Sequence, residues 1–420
     1  TRLTKTISLN IPLVASGRGG VTESAMAIAI AQLGGIGIIH DNMPMGKQVE
    51  EVRRVKRSEG HIVSNPITVA ANASVAEAID LMTTYKISGL PVLDAPTQKV
   101  VGILTARDVR FFEDYAKPVS DLMTKDVISV KGMKGADAAK RLMHQHRIEK
   151  VVVLDDQGRC IGLVTHKDIE KAARYPDAAR DSAGRLRVGA AVKIGKDAFD
   201  RTAAMTDAGL DVVFIDVAQA HTRDVIGTVS RIRQQRSSEV QIVAGNVATP
   251  DAARSLVDAG ADAIKIGIGA CAHSTPRRAA GIGMPQFSAI VKVAEQCAMM
   301  GIPAIAEGGI DDAATLAKAL GAGAECAAIV APFAGTNEAP GRVVWRGGAA
   351  YKTRTGETKP AAGDDPYRFE AESAGGVPYR GELKNVVDDF MHGLRYAMAY
   401  TGSKDIQSLI DNAEFARLAK

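Results

Sequence analysis

Aromatic side chains are scarce in this chain: Phe, Trp and Tyr make up 4% of 420 residues, with a single Trp. Base-stacking platforms of the single-strand-binding kind are therefore not expected. Cysteine is scarce as well. Cys160, Cys271, Cys297 and Cys326 lie far apart with no Cys-x-x-Cys, so neither a disulfide framework nor a cysteine-built zinc site is indicated, and a reducing cytoplasm fits best. An excess of one charge is missing too. Lys+Arg of 52 against Asp+Glu of 48 leave a net +4, too little to argue for nucleic acid or an anionic membrane as a partner. The longest uncharged apolar run, 25–39, is broken by Gln32 and Gly34-Gly35 and is too short to span a bilayer. No secretory signal pattern is visible.

What is present reads as a water-soluble globular protein: 46% hydrophobic, 24% charged, and long enough for two to four domains. Short Val/Ile-rich strands recur at 11–16, 36–40, 187–192, 212–217, 241–247, 263–268, 304–308 and 327–331. Helix-like segments follow them, such as 250–259 and 311–320, each ending near a glycine. This is the βαβ rhythm of a parallel sheet. A doubly wound open sheet alternates in the same way, and the count of eight favours a closed (β/α)8 TIM barrel.

Between the second and third strands the rhythm is interrupted by an internal repeat. Ser88-Gly-Leu-Pro-Val-Leu-Asp94 pairs with Glu149-Lys-Val-Val-Val-Leu-Asp155, and Gly102/Gly162, Thr105/Thr165 and Asp108/Asp168 recur at one constant offset. A helix precedes each copy. The first starts at Ser74, with Glu77 completing a capping box and Val75, Ala78, Ile79 and Met82 forming an apolar stripe.

The repeat resembles a tandem of CBS domains, a Bateman module, over 62–173, with copies at about 62–118 and 119–173. That resemblance implies an adenine or guanine nucleotide such as ATP or GTP at Thr105/Asp108 and Thr165/Asp168, hydroxyl at phosphate and carboxylate at ribose. The same residues also suit plain capping of the helix that follows, and the two readings stand side by side. The expected organisation is barrel strands 1–2 in residues 1–61, the tandem module in 62–173, and the remaining barrel in 174–420. Cys160, in a strand of the second copy, is read as a buried apolar filler.

A barrel interrupted in this way resembles the IMP dehydrogenase/GMP reductase family. The resemblance is carried by TRLTKTISLNIPLV at 1–14, GGIGIIH at 34–40, VAGNV at 243–247, Gly267 and Gly269, AEGGI at 306–310, FAGTNEAPG at 333–341 and VPYRG at 377–381. It implies NAD(P)-dependent redox at C2 of a purine nucleotide, of the IMP-to-XMP type, through a cysteine adduct that water hydrolyses with help from a flap. It also implies a homotetramer or octamer of barrels. On this chain Asp216, Asn246, Gly267 and Gly269 fall on the cofactor side. Ser16, Glu307, Gly309 and Gly356 fall on the substrate side.

The family's active-site loop reads G-x-G-x-G-S-x-C-T-T-R. Laid on this chain it places Ser274 at the nucleophile, Ala272 at the phosphate-holding serine and Pro276 at the second threonine. A hydroxyl, unlike a thiol, needs a base beside it, and His273 and His221 are the candidates in reach of sequence reasoning. Cys271, three residues upstream, is the alternative nucleophile. Backbone carbonyls of Gly269, Cys271 and Ser274 are the family's place for a monovalent cation such as K+.

Further departures surround that loop. Ser-x-Met-Asp after the first strand becomes Ser16-Gly-Arg18-Gly19, the ribose aspartate becomes Glu307, a phosphate-cradling Gly-Ser becomes Val330-Ala331, and the base-side loop becomes Arg354-Thr-Gly356-Glu-Thr-Lys359. The flap's Arg-Tyr pair finds its nearest match, reversed, in Tyr367 and Arg368. Arg18, Arg277, Arg278, Arg354 and Lys359 add basic groups around the site. Three readings follow: a family oxidoreductase with an altered nucleophile, a non-catalytic nucleotide sensor or scaffold, and a barrel hosting other chemistry on another anion.

Overall fold

A computed structural model describes the whole chain except residues 59–62, 65, 86, 133–135, 237–238, 272–273, 354–375 and 418–420. Eight strands close into a barrel: β1 Leu13–Ala15, β2 Ile36–Ile39, β3 Val188–Val192, β4 Val212–Asp216, β5 Gln241–Val247, β6 Ala263–Ile266, β7 Ala304–Glu307 and β8 Cys326–Ile329. Every neighbouring pair is parallel, and β8 returns to β1 through Leu13↔Ala327, Val14↔Ala328 and Ala15↔Ile329. The (β/α)8 barrel expected from strand spacing is thus the observed fold. Parallel strands need crossovers, and helices supply the seven between them: α1 Ser24–Gln32, α2 Met45–Ser58, α3 Gly195–Asp207, α4 Arg223–Gln235, α5 Pro250–Asp258, α6 Gln286–Met299 and α7 Ala313–Gly321, while α8 Leu383–Tyr400 follows the last strand.

Local chemistry sets where these helices begin. Thr222 and Thr249 accept from the backbone N–H three residues on, and Asp312 with Thr315 forms a capping box. Each helix then buries one stripe. On α4 these residues are Val225, Val229 and Ile232, each contributing about 1.5–3 kcal/mol of burial.

Strand alternation decides what fills the barrel. Val14, Val212, Phe214, Val243, Ala263, Ile305 and Ala328 share one buried cluster, closed from below by Leu3, Ile7 and Leu9. Side chains two residues further along a strand lie on the same face. Ser16, Asp216, Lys265 and Glu307 therefore form the next layer up, at the carboxyl ends of β1, β4, β6 and β7.

The chain divides into two compact units. One contains Thr1–Ser58, Asp177–Asp181 and Leu186–Lys420, and holds the barrel. The other contains Glu59–Pro176 and Ser182–Arg185. It has a three-stranded sheet of Val69–Ala70, Gly89–Leu93 and Val100–Thr105, and a four-stranded sheet of Val63–Ser64, Cys160–Thr165, Lys150–Leu154 and Ser129–Lys131. Helix Val75–Tyr85 buries Val75, Ala78 and Met82, and the second sheet has its own cluster of Val130, Ala139, Met143, Val151, Val153 and Val164. The Glu77 backbone donates to Ser74 Oγ at 3.2 Å, one half of the expected capping box. Cys160 is half-buried rather than buried, its sulfur donating to the Gly162 carbonyl at 3.6 Å.

Candidate active site at the mouth of the barrel

The polar layer above the apolar core is a single hydrogen-bonded network. Glu307 is 3% exposed and receives Ser16 Oγ on Oε1 at 2.6 Å. Its Oε2 receives Lys265 Nζ at 2.7 Å, Asn246 Nδ2 at 3.0 Å and lies 3.1 Å from Arg18 Nε. Lys265, 1% exposed, also reaches Asp216 Oδ2 at 2.8 Å. Arg18 Nε donates to Asp216 Oδ1 at 3.0 Å and its Nη2 to the Val217 carbonyl at 2.8 Å.

Electrostatics follows from that packing. Burial alone would raise the Glu307 carboxyl, but Lys265 and Arg18 override it and hold the group down at about 2. For Arg18, desolvation is likewise outweighed by Asp216 and Glu307, so the guanidinium is held more firmly protonated than usual. Buried ion pairs of this kind add little net stability, yet removing one partner is costly.

Asn246 departs from strand parity because the β5–β6 register shifts between Gly245 and Val247. Its Nδ2 also donates to the Gly267 carbonyl at 2.7 Å, while its buried Oδ1 has no partner among the described residues. Gly267 follows β6 at φ +148°, and a Cβ there would stand 1.9 Å from the Glu307 carbonyl oxygen. At Gly269, φ +66°, a Cβ would stand 2.6 Å from the Gly283 Cα. Only glycine permits these approaches. Gly309 sits against the Ala270 carbonyl, bringing the β6 and β7 loops together.

Ser274 caps the short helix Thr275–Ala280, and its hydroxyl makes no hydrogen bond to a described residue. His221 makes no hydrogen bond to Ser274; its Nε2 lies 3.3 Å from Ser255 Oγ on α5. Two of the three carbonyls expected to ligate a cation also accept main-chain hydrogen bonds. The Cys271 carbonyl accepts the Ser274 N–H at 3.2 Å and the Ser274 carbonyl accepts the Arg278 N–H at 3.0 Å. Among the described residues no group of three or more His, Cys, Asp or Glu is placed to hold a metal.

The structure thus brings Ser16, Asp216, Asn246 and Glu307 into one network, with Gly267, Gly269, Gly309, Cys271 and Ser274 on the adjoining loops. Thr105 and Asp108 belong to the other unit, where Asp108 Oδ2 accepts both the Thr105 N–H and hydroxyl at 2.7 Å in a capping box. Thr165 ends a strand of the same unit. Gly356, Tyr367, Arg368, His273 and the side chain of Asp168 lie outside the described residues.

Sequence reasoning missed Lys265, whose only signal is a lysine on the inward face of an otherwise apolar strand. It missed Gln286 as well, which donates to the carbonyls of Ile266 at 3.0 Å and Glu307 at 3.1 Å and so ties β6 to β7. His40 and Asp41, at the end of β2, complete the rim. His40 Nε2 lies 3.5 Å from Glu23 Oε1, and burial lowers its pKa. Burial also raises the Asp41 carboxyl, with the Asp216 charge adding to the rise.

The model of the IMP dehydrogenase / GMP reductase domain matches residues 1–420. Inosine-5'-monophosphate dehydrogenase of Aquifex aeolicus is 44% identical over 434 aligned residues, covering 100% of this chain and 88% of the relative. The Bacillus subtilis enzyme of the same name is 41% identical, covering 99% and 88%. Among solved structures, a variant GMP reductase from Trypanosoma brucei in complex with guanosine 5'-monophosphate superposes with a TM-score of 0.86 at 32% identity, covering 100% of this chain and 90% of that one. On the barrel, its polar mouth and these full-length matches together, the chain belongs to the IMP dehydrogenase/GMP reductase family.

Proposed function

We propose that the mouth of this barrel takes a purine nucleoside monophosphate together with NAD(P), and that redox at purine C2, of the IMP-to-XMP type, is the reaction this site descends from. The observation carrying this reading is the layer of Ser16, Asp216, Asn246 and Glu307 at the strand ends of a chain matched to the family along its whole length. NAD(P), when bound, supplies the hydride acceptor or donor. Asp216 and Asn246 are the residues to hold its nicotinamide–ribose end. The buried, unpartnered Asn246 Oδ1 fits an incoming N–H or O–H donor. A K+ ion, if bound, would use the carbonyls of Gly269, Cys271 and Ser274, two of which also accept backbone N–H groups of the loop.

In this proposal Ser274 stands at the position of attack. A hydroxyl is a weak nucleophile without a base, and no described residue supplies one, so the covalent step is slow or lost. That observation favours a second reading, a non-catalytic nucleotide sensor. In this reading residues 62–173 act as a tandem CBS module, with copies at about 62–118 and 119–173 between barrel segments 1–61 and 174–420. ATP or GTP binds there at Thr105/Asp108 or Thr165/Asp168, and the barrels assemble as a homotetramer or octamer in the cytoplasm. Among the described residues no helix is long and apolar enough to cross a membrane.

The test measures NADH formation from IMP and NAD by the parent and by Ser274→Cys, alongside thermal shifts with IMP, GMP, ATP, GTP and NAD(P). Turnover restored by the thiol supports the first reading. Stabilisation by ATP or GTP alone, with no turnover in either protein, supports the second.

A further inference from the structure

The Glu307 carboxylate is crowded on one side: Asn246, Lys265 and Arg18 converge on Oε2, while Ser16 holds Oε1. A carboxylate offers about four lone-pair sites. Here Ser16 Oγ, Asn246 Nδ2, Lys265 Nζ and Arg18 Nε approach it at 2.6, 3.0, 2.7 and 3.1 Å. Asp216 is likewise held on both oxygens, by Arg18 Nε and Lys265 Nζ. A ligand whose hydroxyls approach this pair from solvent meets the partly exposed Arg18 guanidinium, which lies against both carboxylates.

The four donors are not equally fixed. Lys265 is 1% exposed, and Ser16 and Asn246 are buried on strand ends. The Arg18 side chain is 37% exposed and lies outermost. It leaves a short turn, Arg18–Gly20, in which Gly19 and Gly20 hold φ of +63° and +65°, and its reach back into the barrel depends on side-chain contacts rather than strand pairing. Arginine carries a planar fork of five donors, and this one donates Nε–H to Asp216, with Glu307 Oε2 3.1 Å away, and Nη2 to the Val217 carbonyl.

We infer that the Arg18 guanidinium is a resident occupant of the barrel's own binding site, covering the Asp216–Glu307 acceptor pair and excluding hydroxyl-bearing ligands from it until it swings out. This rests on the nucleotide reading only for the identity of the excluded ligand. The apparent affinity of such a ligand is reduced by the fraction of time the seat is vacant, so a seat filled most of the time weakens binding by about tenfold or more.

The experiment uses the full chain and two substitutions, Arg18→Ala and Arg18→Met, the second retaining most of the side-chain bulk. Methylguanidinium is titrated into parent and Arg18→Ala with thermal unfolding as the readout, and IMP binding to all three proteins is followed by calorimetry. Expected are saturable stabilisation of Arg18→Ala by methylguanidinium with none in the parent, and IMP binding to Arg18→Met at least about tenfold tighter than to the parent. No effect of methylguanidinium on Arg18→Ala overturns the inference, as does IMP binding to the parent that Arg18→Met fails to tighten. If methylguanidinium fills the vacated seat but no protein binds IMP, the resident-occupant assignment stands and the purine-nucleotide reading fails.

Discussion

Replacing Lys265 by methionine tests whether charge balance holds the mouth of the barrel together. Lys265 Nζ is 2.8 Å from Asp216 and 2.7 Å from Glu307, with 1% of the side chain exposed. Arg18 and Lys265 face Asp216 and Glu307, two cations against two anions. Lys265→Met leaves one guanidinium for two desolvated carboxylates. Breaking a buried pair in this way costs on the order of 3–5 kcal/mol, while methionine keeps the volume nearly constant and opens little cavity.

The double substitution Lys265→Met, Glu307→Met restores balance, because Arg18 and Asp216 remain opposite one another. It loses hydrogen bonds from Ser16 and Asn246, about 1 kcal/mol each, and removes the uncompensated charge. The double variant is therefore expected to be more stable than the single one by about 1–3 kcal/mol. Urea unfolding followed by far-UV circular dichroism measures this. The fit needs two transitions, since two compact units need not unfold together. A single substitution costing under about 1 kcal/mol, or a double variant less stable than the single one, refutes the reasoning.

Glu307 also sets an acid limb. Its folded-state pKa is depressed from 4.5 to about 2, so its stabilisation is complete above about pH 4.5 and is lost as pH falls toward about 2, on the order of 3 kcal/mol in all. Glu307→Gln should flatten stability in that window, and a parent with no such limb contradicts the assignment. In the second unit, Asp108→Ala removes a cap in which Oδ2 accepts two donors from Thr105, and should cost about 1 kcal/mol with no nucleotide present. A nucleotide-free melt unchanged by that substitution would show that the cap contributes nothing. Of the four thiols, Cys297 and Cys326 are buried and pushed up to about 12, and burial takes Cys160 to about 11. A native-state disulfide reagent should therefore find one fast thiol, Cys271, half-buried like Cys160, and Cys271→Ser should abolish the fast phase.

The barrel was legible because each strand is a short Val/Ile run spaced for a crossover helix, information held within a few dozen residues. Asp216 and Glu307 were picked out through the family resemblance, and each stands at the polar end of an apolar strand. Lys265 was not, since its meaning depends on parity with Ala263 inside a closed barrel, which no local window contains. Arg18 was noticed as a basic group, yet its engagement with Asp216 joins residues far apart in sequence through a long flexible side chain. Asn246 faces its partners through a register shift that hydrophobic patterning does not report. Ser274 was reached by laying the family's loop motif on the chain, whereas the attachment of His221 to Ser255 depends on where the ends of α4 and α5 fall.

The closed account of charge at the mouth bears on encounter kinetics. Two positive and two negative groups cancel within a few ångströms, so a ligand approaching through solvent meets only a short-ranged multipole there. Fields that steer diffusion act over roughly the 8–10 Å screening length of physiological salt. Such steering falls instead to the exposed Arg277 and Arg278 beside the opening. Capture of an anion should therefore slow with added salt through those two residues, while its later seating inside the barrel stays nearly indifferent to ionic strength.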